Sequence, residues 1–296
     1  MNQLRFGLLI LSTLTLFSCG FNKVDPITFG FIPASEIEEV EIVADSLCKE
    51  LSNQTGIEIR AFVAPDYSSL IEAMRTRHVD IAWLAPMSFI EAEVEIKQTP
   101  LLTSVRQGKP FFYSAIFTRT DSGIKTVEDL KGKRIGWTDP TSTAGRIFPE
   151  YELRKLGINP VTYFREIKYV GGHDRAVKAV LNGDVDAAAS FSNDTINVDN
   201  AWHQFLKEKD QIEKIRPILY TRPIPGDVIS ISTQVYNIRQ HDAEKLKKAI
   251  VELSLTPTGK RLIKKLNRTD ALAPVQPEMY ETVREAAKYV LGQNYR

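Results

Sequence analysis

The sequence predicts an α/β protein of two similar lobes, each an open sheet of parallel type flanked by helices. Three observations predict it. Strand-like and helix-like segments alternate along most of the chain. Residues 70–82 and 176–188 share one pattern: a helix end, a tight turn, then Val79-Asp80-Ile81-Ala82 or Val185-Asp186-Ala187-Ala188 opening a strand. Finally, 296 residues with 43% hydrophobic and 25% charged content are ordinary globular values and enough for two lobes.

Each element has a local reason. Ile27–Ile32 alternates as a strand, and Ser35 with Glu38 forms a capping box before a helix whose apolar face is Ile37, Val40, Ala44, Leu47 and Leu51, stopped at Gly56. Ile57–Val63 is a strand, Tyr67–Arg77 a helix with Leu70, Ile71 and Met74 inward, and Val79–Leu84 a buried strand. Pro86 opens a helix to about Lys97. Strands Leu101–Val105 and Phe112–Thr118 follow, then a short helix capped by Thr126 with Asp129, and strand Arg134–Thr138. A single helix is expected over Ser142–Leu156, ending at Gly157. Strand Tyr163–Val170, helix His173–Leu181 and strand Val185–Ala189 complete a further βαβ unit, and the chain from Ala243 onward reads mostly as amphipathic helix.

The first residues read as a leader. A basic start at Arg5 precedes an apolar run, Phe6–Phe17, too short for a bilayer span but suited to a secretory signal. The run ends in Leu16-Phe17-Ser18-Cys19-Gly20, which resembles a bacterial lipobox with Cys19 as the acylated residue, and residues 1–18 are the expected signal peptide. Cys48, then the other cysteine, has no partner and is expected to pack as a small hydrophobe.

Charge excludes other classes. Lys+Arg of 38 against Asp+Glu of 37 gives no reason for a nucleic-acid partner. The chain carries no P-loop, no dinucleotide fingerprint, no nucleophile elbow and no zinc-type spacing, so neither cofactor nor metal nor catalytic set is expected. What it carries instead is helix starts rich in small donors. Asp139-Pro140-Thr141-Ser142-Thr143-Ala144-Gly145 follows a strand, and three consecutive hydroxyls exceed what a cap requires. Gly145 is expected to let the backbone approach a ligand. Gly171-Gly172-His173 is a second such start, and Asp66-Tyr67-Ser68-Ser69 and Ala85-Pro86-Met87-Ser88 are two more. In doubly wound sheets all fall at the carboxyl ends of strands, where ligands bind. Arg146 and Arg175, in first turns, are expected at the surface, and Trp83 and Phe112 in the core.

On these segments, together with Asp121–Gly132, Ala179–Asp186 and Ile224-Pro225-Gly226-Asp227, the chain resembles the phosphate/phosphite/phosphonate-binding receptors of ABC transporters over most of residues 27–292. The resemblance implies a type II-like periplasmic binding protein fold: two mixed-sheet lobes, 26–116 plus 228–296 and 117–227, joined by crossing strands Phe112–Thr118 and Val228–Ser232. It implies a phosphorus oxyanion held between the lobes by Ser142, Thr143 and the Ala144 amide, by His173, and by Tyr67, Ser88 and Tyr113. Asp227 matches a carboxylate that meets the ligand's amino group in some relatives. Ala144 stands where relatives carry a third hydroxyl, Ala85 for a Gly, and Phe89 for a Tyr. The expected partners are a permease with its ATPase and, through lipid alone, the membrane; the protein is expected to be a monomer. A sensing module for a kinase and an enzyme on the same fold are the alternatives.

Overall fold

The computed structural model describes residues 25–32 and 37–292. The expected leader, Cys19 and the Ser35 half of the capping box lie outside the described residues.

In the first lobe β1 (Ile27–Phe31), α1 (Ile37–Thr55), β2 (Ile59–Val63), α2 (Tyr67–Arg75), β3 (Ile81–Leu84), α3 (Pro86–Ile96) and β4 (Gln98–Val105) follow in order. The chain then enters a second sheet through β5 (Phe111–Arg119), β6 (Arg134–Trp137), α4 (Phe148–Lys155), α5 (Pro160–Tyr163), β7 (Glu166–Tyr169), α6 (His173–Asn182) and β8 (Ala187–Ser192). Two short helices, α7 (Ala201–Phe205) and α8 (Lys209–Glu213), lead to β9 (Ile215–Tyr220) and β10 (Ile224–Pro225). The chain returns to the first sheet in β11 (Val228–Ser232) and closes with α9 (Thr233–Ile238), α10 (Gln240–Leu255), α11 (Pro257–Asn267), β12 (Ala271–Pro274) and α12 (Glu281–Leu291).

The two sheets repeat one plan. The first runs β12-β4-β11-β3-β1-β2 and the second β10-β5-β8-β6-β7, with β9 also on β5. In each, three parallel strands (β2-β1-β3, β7-β6-β8) are flanked by an antiparallel strand that begins or ends the crossing. The Val-Asp echo now has a cause. Asp80, just before β3, accepts the Thr28 amide on β1 at 2.9 Å, and Asp186, just before β8, accepts the Arg134 amide on β6 at 2.8 Å. Each carboxylate fastens the third strand to the start of the first in its own lobe.

β5 pairs with β8 and β9 along its length, so it belongs wholly to the second sheet. The change of lobe therefore falls at residues 106–110, not inside the expected crossing strand Phe112–Thr118. The return falls at Gly226 and Asp227. These two crossings touch: the Ser104 amide donates to the Asp227 carbonyl at 2.8 Å, and the Gly226 amide to the Pro110 carbonyl at 2.9 Å. A Cβ on Gly226 would lie 2.2 Å from the Ser104 carbonyl oxygen, so only glycine allows that approach. Tyr280, fully buried, donates to the Gly226 carbonyl at 2.7 Å and locks the waist from behind.

Each lobe has an outer core, built on Phe29, Leu47, Leu51 and Ile250 in the first and on Ile135, Trp137 and Leu153 in the second. A third cluster runs across both, joining Leu70, Met87 and Phe89 to Phe148, Tyr151 and Val177. Cys48 is buried in the first core, which pushes its thiol up to about 12.

Several local expectations give way. The helix expected over 142–156 begins as a wide turn, Thr143–Ile147, in which the Ile147 amide reaches back five residues to Ser142; Pro149, which has no N–H, then sits in the first turn of α4. Asn159 caps Pro160–Tyr163 as a helical turn, which removes the first half of the expected strand 163–170. Thr126 does not cap its short helix; the Asp129 carboxylate instead accepts the Lys125 and Thr126 amides. The helical C-terminal third contains a strand, β12, paired with β4.

Candidate functional site

A pocket of about 90 Å³ opens between the lobes above the waist, room for several waters or one small ligand. Two helix starts face each other across it. In the second lobe, Ser142 caps the wide turn, its Oγ accepting the Gly145 amide at 3.0 Å. Thr143 Oγ1 accepts the Met87 amide of α3, from the other lobe, at 2.9 Å. Both hydroxyl oxygens thus already accept a backbone N–H, which leaves their own protons to donate. The amides of Thr143 and Ala144 open the turn, where intrahelical bonding supplies no acceptor. This is a lattice of donors without a carboxylate among them.

His173 opens α6, whose cap Gly172 offers no side-chain acceptor. Its Nδ1 lies 2.8 Å from Ser190 Oγ, and burial, aided by the Arg268 charge and opposed by Asp174, pushes its pKa down to about 4. The ring is therefore neutral at pH 7. In the tautomer whose Nδ1 accepts from Ser190, the Nε2–H is one more donor; in the other, Nδ1 donates to Ser190. Tyr67, first residue of α2 behind the Asp66 cap, lines the pocket beside Ser142, and burial raises its hydroxyl pKa, so it too stays a donor.

Ser142, Thr143, Ala144, His173, Tyr67 and Asp227 all line the pocket. Ser88 and Tyr113 do not. β5 alternates, and its pocket-facing residue is Phe112; Tyr113, one step on, packs edge-on against Phe111. Ser88 is fully buried in α3 behind the pocket wall, its Oγ without a partner among the described residues. Gly145 also departs from expectation. A Cβ there would stand 1.7 Å from Thr138 Oγ1, so this glycine serves the packing of the turn on β6, not approach to a ligand. Trp83 and Phe112 are buried as expected and line the pocket as well; Arg146 is tied to Glu150 and the Pro140 carbonyl, and Arg175 is exposed.

Among the pocket residues that carry no sequence motif are Arg106, Asn193 and Arg268. Arg106, at the end of β4, pairs with Asp227 and donates to the Asn267 carbonyl at 2.9 Å, so both crossings and α11 meet in one ion pair.

A family model described as the periplasmic substrate-binding protein of a phosphonate ABC transporter matches residues 29–280. The chain belongs to this family. The phosphate-import protein PhnD of Mycolicibacterium smegmatis is 32% identical over 177 residues, covering 56% of this chain and 55% of that protein. The phosphonates-binding periplasmic protein of Escherichia coli is 28% identical over 248 residues, 81% of this chain and 70% of that one. The chain thus spans little more than half of the first relative. A solved structure of PhnD1 from Prochlorococcus marinus in complex with methylphosphonate shares the fold, with a TM-score of 0.76 at 19% identity over 90% of this chain and 98% of that one. The family is one of periplasmic substrate-binding proteins of phosphonate ABC transporters. Among the described residues no helix is long and apolar enough to cross a membrane.

Proposed function

We propose that the protein captures a phosphonate or a related phosphorus oxyanion, phosphite or phosphate, between its lobes and delivers it to a permease driven by an ATPase. One observation carries this reading: the Ser142 and Thr143 hydroxyl oxygens already accept backbone amides, so their protons, with the Ala144 amide and the neutral His173, converge as donors on one pocket. Charge-assisted bonds from such donors hold a tetrahedral oxyanion without a matched cation. The relatives' names, which speak of phosphate and phosphonate, point the same way. The reading is one of capture and release, in line with the family's description as substrate-binding.

Calorimetric titration with methylphosphonate, phosphite, phosphate and sulfate tests the proposal. A phosphorus oxyanion binding at least tenfold more tightly than sulfate supports it; equal or tighter sulfate binding overturns it. Residues 17–20 support an anchor through lipid on Cys19, which the mass of the mature N-terminal peptide checks: an unmodified N-terminus elsewhere rules it out.

A further inference from the structure

The charges around the pocket do not balance. Among the described residues that line it, two guanidinium groups, Arg106 and Arg268, stand against the single carboxylate of Asp227. That carboxylate is taken by Arg106, and His173 is neutral, so one positive charge is left over. Arg268 carries it. Among the described residues it makes no ion pair, Asp199 and Glu39 acting on it only from a distance, and burial, with Arg106 beside it, lowers its pKa to about 10, so it remains charged.

The geometry of Arg268 suits a planar anion. It follows α11 in a left-handed conformation, φ +51°, which swings the side chain across the cleft toward the second lobe. There its guanidinium carbon lies 5.4 Å from the centre of the Phe191 ring and 4.9 Å from that of Phe205. The two rings are inclined at 71° to each other, so the guanidinium cannot lie flat on both, and among the described residues its N–H groups donate no hydrogen bond within the chain. Two further donors are unspent nearby. Nη1 of Arg106, on a side chain that is 8% exposed, is buried with no partner, and the Asn193 amide lines the same wall. A phosphoryl group already has the Ser142–Ala144 turn and His173. These extra donors exceed its needs and mark a second acceptor group on the ligand.

We infer that the ligand is a small phosphorus oxyanion bearing a carboxylate, and that Arg268, with Arg106 Nη1 and the Asn193 amide, receives that carboxylate. The inference rests on the oxyanion reading above and narrows it. Arg268 and His173 line the same pocket of about 90 Å³, which limits the ligand to a small molecule carrying both anionic groups. An ammonium group in place of the carboxylate meets only repulsion, since the one lining carboxylate is already paired.

The test is calorimetry on the full chain with phosphonoacetate, methylphosphonate and 2-aminoethylphosphonate, for the wild type, Arg268→Gln and Arg268→Lys. Phosphonoacetate is expected to bind about tenfold or more tightly than methylphosphonate, and 2-aminoethylphosphonate more weakly than either. Arg268→Gln should weaken phosphonoacetate about tenfold more than it weakens methylphosphonate, and Arg268→Lys should keep part of the preference. Methylphosphonate binding as tightly as phosphonoacetate overturns the inference and leaves the oxyanion reading standing. So does an equal loss for all three ligands in Arg268→Gln, which would place the arginine on the phosphoryl group. Failure of every phosphorus compound to bind the wild type overturns both. If a variant does not fold, the ranking of ligands on the wild type still decides.

Discussion

Thr143 accepts the Met87 amide and, in the proposed site, donates to the ligand, and its replacement separates the two roles. Thr143→Val removes the acceptor for the buried Met87 amide, which costs about 1–3 kcal/mol of stability, and removes one donor to a charged ligand, worth about 10- to 100-fold in affinity. Ser142→Ala removes a cap, about 1 kcal/mol, and a similar share of affinity. Melting and titration of the same two variants check this; loss of stability with unchanged affinity would make both residues caps alone. His173 gives a pH signature. Its folded pKa of about 4 lies below the ordinary 6.5, so between those values the unfolded chain binds a proton that the folded pocket refuses. Stability therefore falls as pH drops through that window, by about 1–3 kcal/mol from this group. Melting of the ligand-free protein from pH 7 to 4.5 should show a steeper decline for the wild type than for His173→Gln, whose curve lacks this contribution. Parallel curves would remove the burial argument. These hydroxyls and this histidine were legible because they follow strands in runs of small donors. Arg106, Asn193 and Arg268 were not: each stands alone at an element's end, and only the tertiary fold brings them together. Tyr113, a residue that the family resemblance alone implied, does not line the pocket, where β5 presents Phe112.

Among the elements, the turn at Thr143–Ile147 decides the shape of the site. Its wide form presents two hydroxyls and two amides on one side, which a regular helix from Ser142 would not. Gly145 allows it, since Thr138 occupies the space a side chain would need. Gly145→Ala forces the turn off β6 and should cost about 1–3 kcal/mol of stability, with weakened oxyanion binding as Ser142 and Thr143 move. Urea unfolding checks the first part, and a variant as stable as the wild type would show that the turn tolerates a Cβ. The long periodic segments α1, α6, α10 and α11 were readable from their apolar spacing. The short ones were not. β9, β10 and β12 carry proline at Pro217, Pro225 and Pro274, a residue that argues against strand until an edge position is known.

At the scale of the molecule, two lobes meet around one central core and one pocket. Contacts across the cleft are direct: Met87 to Thr143, Gln107 Nε2 to Asp199 at 2.8 Å, and Arg268 over Phe191 and Phe205. On the far side α12 packs against both α3 and α4, and Glu285 accepts from the Tyr151 hydroxyl of the second lobe. This is a closed arrangement, and a ligand that bridges the lobes stabilises it relative to any open form. The duplication was visible in the sequence because the Val-Asp echo marks the same strand of each lobe. The lobe boundary was displaced by about ten residues, since a strand that crosses between sheets and one that belongs to a single sheet share the same alternation. The position of the oxyanion decides between this site and any other. A crystal structure of the protein grown with methylphosphonate measures that directly. Phosphonate oxygens are expected within hydrogen-bond distance of Ser142 Oγ, Thr143 Oγ1, the Ala144 amide and the His173 ring. Density for the ligand at any other place, with those four donors turned toward water, would contradict this site.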